Sequence, residues 1–270
     1  MNELALFAGA GGGLLGGHLL GWRTVCAVEW DAYAASVLVA RQNDGVLPSF
    51  PIWDDVQTFD GQPWRGIVDV VSGGFPCQDI SSAGRGAGID GERSGMWRHM
   101  ARIIGEVRPK FVFVENSPLL VSRGLTRVLG DLAEMGYDAR WGVLGAHHVS
   151  APHKRDRIWI MAYADSGRQQ QCNKKEREIP KPHEKSYVSN PSSQRGCCRH
   201  SKREDAKDAW ELRGDKREDG AGMGWWDTEP QLGRVANGVA NRVDRLKAIG
   251  NGQVPAVAAL AWRTLTEGLT

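Results

Sequence analysis

Short segments built on apolar residues punctuate the first two thirds of the chain, at residues 4–8, 24–28, 67–71, 110–117, 137–147 and 158–161. Between them lie stretches whose apolar positions recur three and four apart, at 14–20, 31–41, 96–107 and 125–135. The first kind predicts buried strands and the second predicts amphipathic helices. Their alternation predicts an open α/β sheet of mostly parallel strands. Pro109 stops the third helix before the strand at 110–117. The pattern then fails. From 164 to 222 aliphatic residues almost vanish, and 14 Lys and Arg stand against 11 Asp and Glu. That span reads as a poorly ordered insert or a small module that orders on a partner. Pattern returns at Trp225-Trp226, and an apolar helix at 256–265 packs back on the first part.

A chain of 270 residues suits one large domain, or a large one with a small one. Its 41% apolar content is enough for a core, and its net charge of +2 does not by itself select a nucleic-acid partner. The apolar N-terminus lacks a basic leader, carries Glu3 and is broken by glycines, so it reads as a strand and loop rather than a signal peptide. No run of 18 apolar residues suggests a membrane span. Five unevenly placed cysteines suggest no disulfide framework and fit a reducing cytoplasm. Cys172, His183, Cys197, Cys198 and His200 match no usual zinc spacing, and no metal is expected.

Candidate chemistry gathers at the ends of the apolar runs. The first run opens into Gly9-Ala10-Gly11-Gly12-Gly13 and a helix, the start of a nucleotide-binding βαβ unit, or else a plain tight turn. Glu29 ends the second strand about 20 residues later, where a carboxylate accepts hydrogen bonds from ribose hydroxyls, and Trp30 offers a stacking face. Asp55, before Val56, is placed for an adenine amino group or is an ordinary turn residue. Gly73-Gly74-Phe75-Pro76-Cys77-Gln78 follows the strand at 67–71. A thiol on a stiffened turn beyond a strand is either a nucleophile or a buried structural cysteine. The Gly- and Ser-rich stretch 82–94 reads as a lid over it, or as a flexible loop. Glu115 ends the next strand at the same sheet edge, where desolvation would raise its pKa. Arg155 and Arg157, alternating into a strand, would share a face and hold a carboxylate or phosphate, or else be solvated.

Taken in order, these segments resemble the DNA (cytosine-5) methyltransferases over nearly the whole chain apart from the polar insert. Phe7-Ala8-Gly9-Ala10-Gly11-Gly12 resembles the family's cofactor loop, Glu29-Trp30-Asp31 its ribose and adenine segment, and Asp55-Val56 its third cofactor segment. Phe75-Pro76-Cys77-Gln78 resembles the Pro-Cys-Gln motif, Glu115-Asn116 the Glu-Asn-Val motif, and Arg155-x-Arg157 the Gln-x-Arg-x-Arg motif. Gly250-Asn251 with Val254-Pro255 resembles the last motif, which returns to the cofactor pocket. Ala5, Ser117 and His153 depart from the family pattern.

The resemblance implies a doubly wound, Rossmann-like, S-adenosylmethionine-dependent methyltransferase fold with a small irregular target-recognition region. It implies a catalytic and cofactor-binding domain at 1–162, target recognition at 163–233, and a returning segment at 234–270. Cys77, Glu115, Arg155 and Arg157 take catalytic places: thiolate attack, protonated contact with the base, a phosphate contact, and orientation of Glu115. Phe7, Ala8, Gly9, Gly11, Gly12, Glu29, Trp30, Asp55, Val56, Pro76, Asn251 and Val254 take cofactor places. The implied partner is duplex DNA with a flipped cytosine, acted on by a cytoplasmic monomer, with a cognate restriction endonuclease a further partner. The rival readings are an RNA cytosine-5 methyltransferase of the same fold, a nicotinamide-dependent oxidoreductase, and a non-catalytic DNA-binding relative.

Overall fold

The computed structural model describes residues 1–76, 95–164 and 242–269, all within one compact unit. Cys77, the stretch 82–94, most of the polar insert with its cysteines and histidines, and Trp225-Trp226 lie outside the described residues.

Seven strands form one sheet: β1 (Asn2–Leu6), β2 (Arg23–Val28), β3 (Ile52–Trp53), β4 (Val70–Gly73), β5 (Phe111–Asn116), β6 (Tyr137–Leu144) and β7 (Arg157–Ala164). Their order is β3-β2-β1-β4-β5-β7-β6. The pairs from β3 to β5 are parallel, and β7 runs antiparallel to both β5 and β6. Strand order reverses beside β1, so the crevice at the carboxyl ends of β1 and β4 is where a doubly wound sheet binds its ligand. The helices are α1 (Gly12–Leu19), α2 (Ala32–Asn43), α3 (Met96–Val107), α4 (Leu120–Arg123), α5 (Leu125–Glu134), α6 (Arg242–Asn251) and α7 (Pro255–Thr266). None is long and apolar enough to cross a membrane among the described residues.

Alternation along each strand sorts the core into two layers. Leu4, Leu6, Val71, Val112 and Val114 face α3 and α5, against Met100, Ile103, Ile104, Val128 and Leu132. On the other face, Ala5 and Ala27 meet Leu14 of α1 and Leu38 of α2, while Val70, Phe113, Trp159 and Met161 meet α7. Trp262 of α7 seals that side. Its ring stands edge-on to Trp22 at 4.7 Å and to Phe111 and Phe113 at 5.3 and 5.4 Å.

The apolar runs place most elements, and three departures have local causes. The run at 67–71 enters the sheet only at Val70, because the amides of Ile67 and Val68 turn back to the Trp64 carbonyl. The run at 137–147 leaves it after Leu144, where Ala146–Val149 forms a 3-10 turn and the Ala146 amide donates to the Lys154 carbonyl. Helix α6 has no apolar period facing the core, since Val243, Leu246 and Ile249 are 78%, 60% and 72% exposed.

Replacing Trp262 with Ala removes the ring that joins α7 to Trp22 and to β5. Urea denaturation should show a loss of about 3–5 kcal/mol, as for other buried aromatic truncations. A loss within about 0.5 kcal/mol would mean that α7 is not anchored this way.

Candidate active site

The end of β1 turns sharply. Phe7 takes a left-handed backbone with φ of 53°, and the chain reaches α1 through Gly9 and Gly11 at φ of 56° and 91°. No side chain caps the first turn of α1, whose leading N–H groups have no intrahelical partners. Glu29, just past β2, spans the loop. Its Oε2 accepts the Gly9 amide at 2.6 Å and its Oε1 accepts the Asp31 amide at 2.7 Å. Burial pushes the Glu29 carboxyl above its usual range, while these amides pull it back. Asp31 caps α2 at the amides of Tyr33 and Ala34 and pairs with Lys247 of α6. Trp30 presents a face that is 75% exposed.

Asp55 and Val56 follow β3. The Asp55 carboxyl accepts the Gln57 amide at 2.8 Å, and Val56 is buried in the core beside α3. Pro76, exposed, is the last described residue before Cys77. Phe75 before it packs on Trp97, and its carbonyl accepts a hydrogen bond from the buried Asn116 side chain at 3.1 Å. The chain entering Cys77 is therefore tied to the end of β5, next to Glu115.

Glu115 is buried, with 9% of its surface exposed. Its Oε1 lies 2.9 Å from Arg157 Nε, across the antiparallel β5–β7 pair. Gln253 Nε2 approaches its Oε2 at 3.5 Å. Desolvation pushes the Glu115 carboxyl up from 4.5 to about 7, against the pull of Arg157 and Arg155. Close approach explains Gly74, where a Cβ would come within 2.6 Å of Glu115 Oε2.

Arg155 lies outside the regular strand that carries Arg157, yet near enough to feel both Arg157 and Glu115. It precedes β7 with φ of 42°, which breaks the alternation expected from the sequence. Its guanidinium instead donates to the carbonyls of Ile249, Gly250 and Gly252 at the end of α6. That clamp holds the segment carrying Asn251 and Gln253 against the sheet edge. Val254, before α7, is partly buried beside the Trp262 cluster. Gln253 also abuts α1: a Cβ at Gly12 would collide with its carbonyl oxygen.

These pieces line a solvent-open cleft. Phe7, Ala8 and Gly9 line one side, Gly74 and Glu115 another, and Asn251 and Gln253 a third. Gln253 and Asn116 emerge as site residues that spacing alone does not single out. Each lies inside a quoted motif, and only the fold shows what its side chain touches.

A family model described as C-5 cytosine-specific DNA methylase matches residues 1–243. The chain belongs to that family. Similar curated methylases include Type II methyltransferase M.Eco47II of Escherichia coli, 36% identical over 168 residues, 59% of this chain and 38% of that one. Type II methyltransferase M.HhaI of Haemophilus parahaemolyticus is 32% identical over 188 residues, 68% of this chain and 54% of that one. The chain thus matches about half, or less, of the length of these relatives. A solved methyltransferase of Entamoeba histolytica, EhMeth, shares the fold with a TM-score of 0.52 at 17% identity, over 61% of this chain and 53% of that one.

In this chain the Arg157 guanidinium opposes protonation of Glu115. Arg157→Ala should therefore raise the Glu115 titration midpoint above about 7, by about one unit or more. Difference infrared spectra against Glu115→Gln would read it from the protonated carboxyl band. A midpoint that stays in place would show that the ion pair does not set the proton affinity.

Proposed function

We propose that this methylase transfers a methyl group from S-adenosylmethionine to C5 of a cytosine flipped out of duplex DNA. The observation that carries the reading is Glu115, a buried carboxyl held near neutral pKa at the sheet edge, next to the chain that enters Cys77. The family match supports the same chemistry.

The lining of the cleft supports this choice of cofactor. Its floor is backbone at Phe7, Ala8 and Gly9, and the uncapped start of α1 offers amide donors to a carboxylate. Glu29 stands beside that loop for ribose hydroxyls, and the exposed Trp30 ring for adenine. In this reading Gly11, Gly12, Asp55, Val56, Pro76, Asn251 and Val254 complete the surrounding shell, with Gly12 and Val254 acting through the packing of the Gln253 segment. When bound, S-adenosylmethionine supplies an electrophilic methyl group.

The chain does the rest. Cytosine C5 is a weak nucleophile, so the Cys77 thiolate adds to C6, and electron density moves toward C5 and N3. The protonated Glu115 hydrogen-bonds to N3 and stabilises the charge that gathers there. Once C5 has gained the methyl group, a base takes the C5 proton, its electron pair re-forms the C5–C6 double bond, the C6–S bond breaks, and the thiolate leaves. Arg157 orients Glu115 through their 2.9 Å contact. Arg155 clamps the segment 249–252 through one guanidinium nitrogen. The target base must leave the helix to reach such a crevice. Residues 163–233 serve as target-recognition region, where basic side chains would meet phosphates. A cytoplasmic monomer, with or without a cognate restriction endonuclease, is the matching cellular setting.

Radiolabelled methyl transfer to duplex DNA and to tRNA tests the reading. The wild-type chain should label duplex DNA, and a preference for tRNA would select an RNA methyltransferase instead. Cys77→Ala should bind DNA yet transfer nothing. Glu115→Gln should lose activity by about 100-fold or more, as general-acid groups do. Turnover by Cys77→Ala, or near-normal rates with Glu115→Gln, would overturn these roles.

A further inference from the structure

A second carboxyl lies buried behind the first, and the reaction described above does not use it. Glu3 is 1% exposed, in β1. Its partners are two hydroxyls: Ser72 Oγ donates to Oε1 at 2.6 Å and Thr24 Oγ1 donates to Oε2 at 2.9 Å. Among the described residues no cation pairs with it. Desolvation pushes it up from 4.5 to about 7, as it does Glu115. A glutamine would fill the same space, accept one hydroxyl at its amide oxygen and donate to the other from its amide nitrogen, without that desolvation cost, so the ionisable group is the feature to explain.

Register puts the two carboxyls on one face of the sheet. Ala5 pairs with Ser72, and Ser72 pairs with Phe113. Glu3 lies two residues before Ala5, and Glu115 two residues after Phe113, so both point to the α1 and α7 side, with Ser72 between them. A small cavity on that side is lined by Glu3, Ser72, Gln253 and Glu115. It has room for about one water molecule, and its polar lining offers the two to four partners such a water needs. Glycines keep it open: a Cβ at Gly17 would sit 3.0 Å from Glu3 Oε2, and one at Gly13 would sit 2.6 Å from Gln253 Oε1.

We propose that Glu3 is a positioning residue that keeps a proton on Glu115, through Ser72 and the cavity the two carboxyls share. The proposal rests on Glu115 being the acid that contacts the base. Arg157 and Arg155 both draw Glu115 toward its ionised form, and Gln253 Nε2 adds a weak donor. Around Glu3, among the described residues, desolvation disfavours the anion and the Thr24 and Ser72 hydroxyls donate to it and favour it. An anion at Glu3 opposes a second negative charge in the same low-dielectric space, so it counters the arginines.

The full-length chain tests this as wild type, Glu3→Gln and Ser72→Ala. Difference infrared titration, with Glu115→Gln as the reference, reads the Glu115 proton without any need for turnover. Glu3→Gln should lower the Glu115 midpoint by about one pH unit, and Ser72→Ala should lower it by less. The alkaline limb of kcat/KM for methyl transfer should move down by the same amount. A Glu115 midpoint that stays within about 0.2 unit in both variants, with native circular dichroism, would overturn the proposal. If Glu3→Gln does not fold, the Ser72→Ala midpoint decides. A chain that transfers no methyl group at all would sink the functional reading, and the infrared titration would still decide whether Glu3 acts on Glu115.

Discussion

A carboxyl group taken out of water at the end of β5 is the constraint around which the site is built. Left alone there, Glu115 would be simply neutral; placed against Arg157 in water, it would be an anion. The structure supplies both influences at once, with burial and a 2.9 Å guanidinium contact on the same group. The balance leaves its proton held to about 7 instead of 4.5. That difference corresponds to about 3 kcal/mol of preference for the protonated form. A group poised in this way donates a hydrogen bond near neutral pH and recovers its proton readily.

Holding that balance requires the carboxyl ends of β1, β4 and β5 to meet closely. Gly74 allows β4 to pass the Glu115 carboxyl, and Gly12 allows α1 to touch the Gln253 carbonyl. The segment 249–253 is then pinned from three sides. Arg155 takes its carbonyls, Lys247 of the preceding helix pairs with Asp31, and α7 docks through Trp262. The last part of the sequence thereby completes a cleft that the first part begins. The loop after β1, Glu115 and the chain entering Cys77 are coupled mechanically through Gln253 and Asn116.

Much of this is legible in the sequence. Buried strands are nearly all apolar, so the runs that form β1, β2, β5 and β7 stand out, and glycines mark the loop after β1. Glu115 can be placed at a strand end because four apolar residues precede it. Other features depend on backbone detail that no period encodes. Arg155 and Arg157 are two apart, yet the left-handed backbone at Arg155 sends their side chains to different partners. Helix α6 carries no readable period because its apolar side chains are exposed. In the sequence Glu3 argues only against a signal peptide, and strand register is what shows that it shares a cavity with Glu115.

The central claim is that a thiol and this proton-bearing carboxyl act on one extruded cytosine. Its most direct test is incubation with S-adenosylmethionine and a duplex bearing 5-fluorocytosine, in which the fluorine blocks the final elimination, followed by peptide mass mapping. The account predicts a stable DNA adduct on the peptide that contains Cys77. No adduct on an active chain, or an adduct on Cys26, Cys172, Cys197 or Cys198, would contradict it.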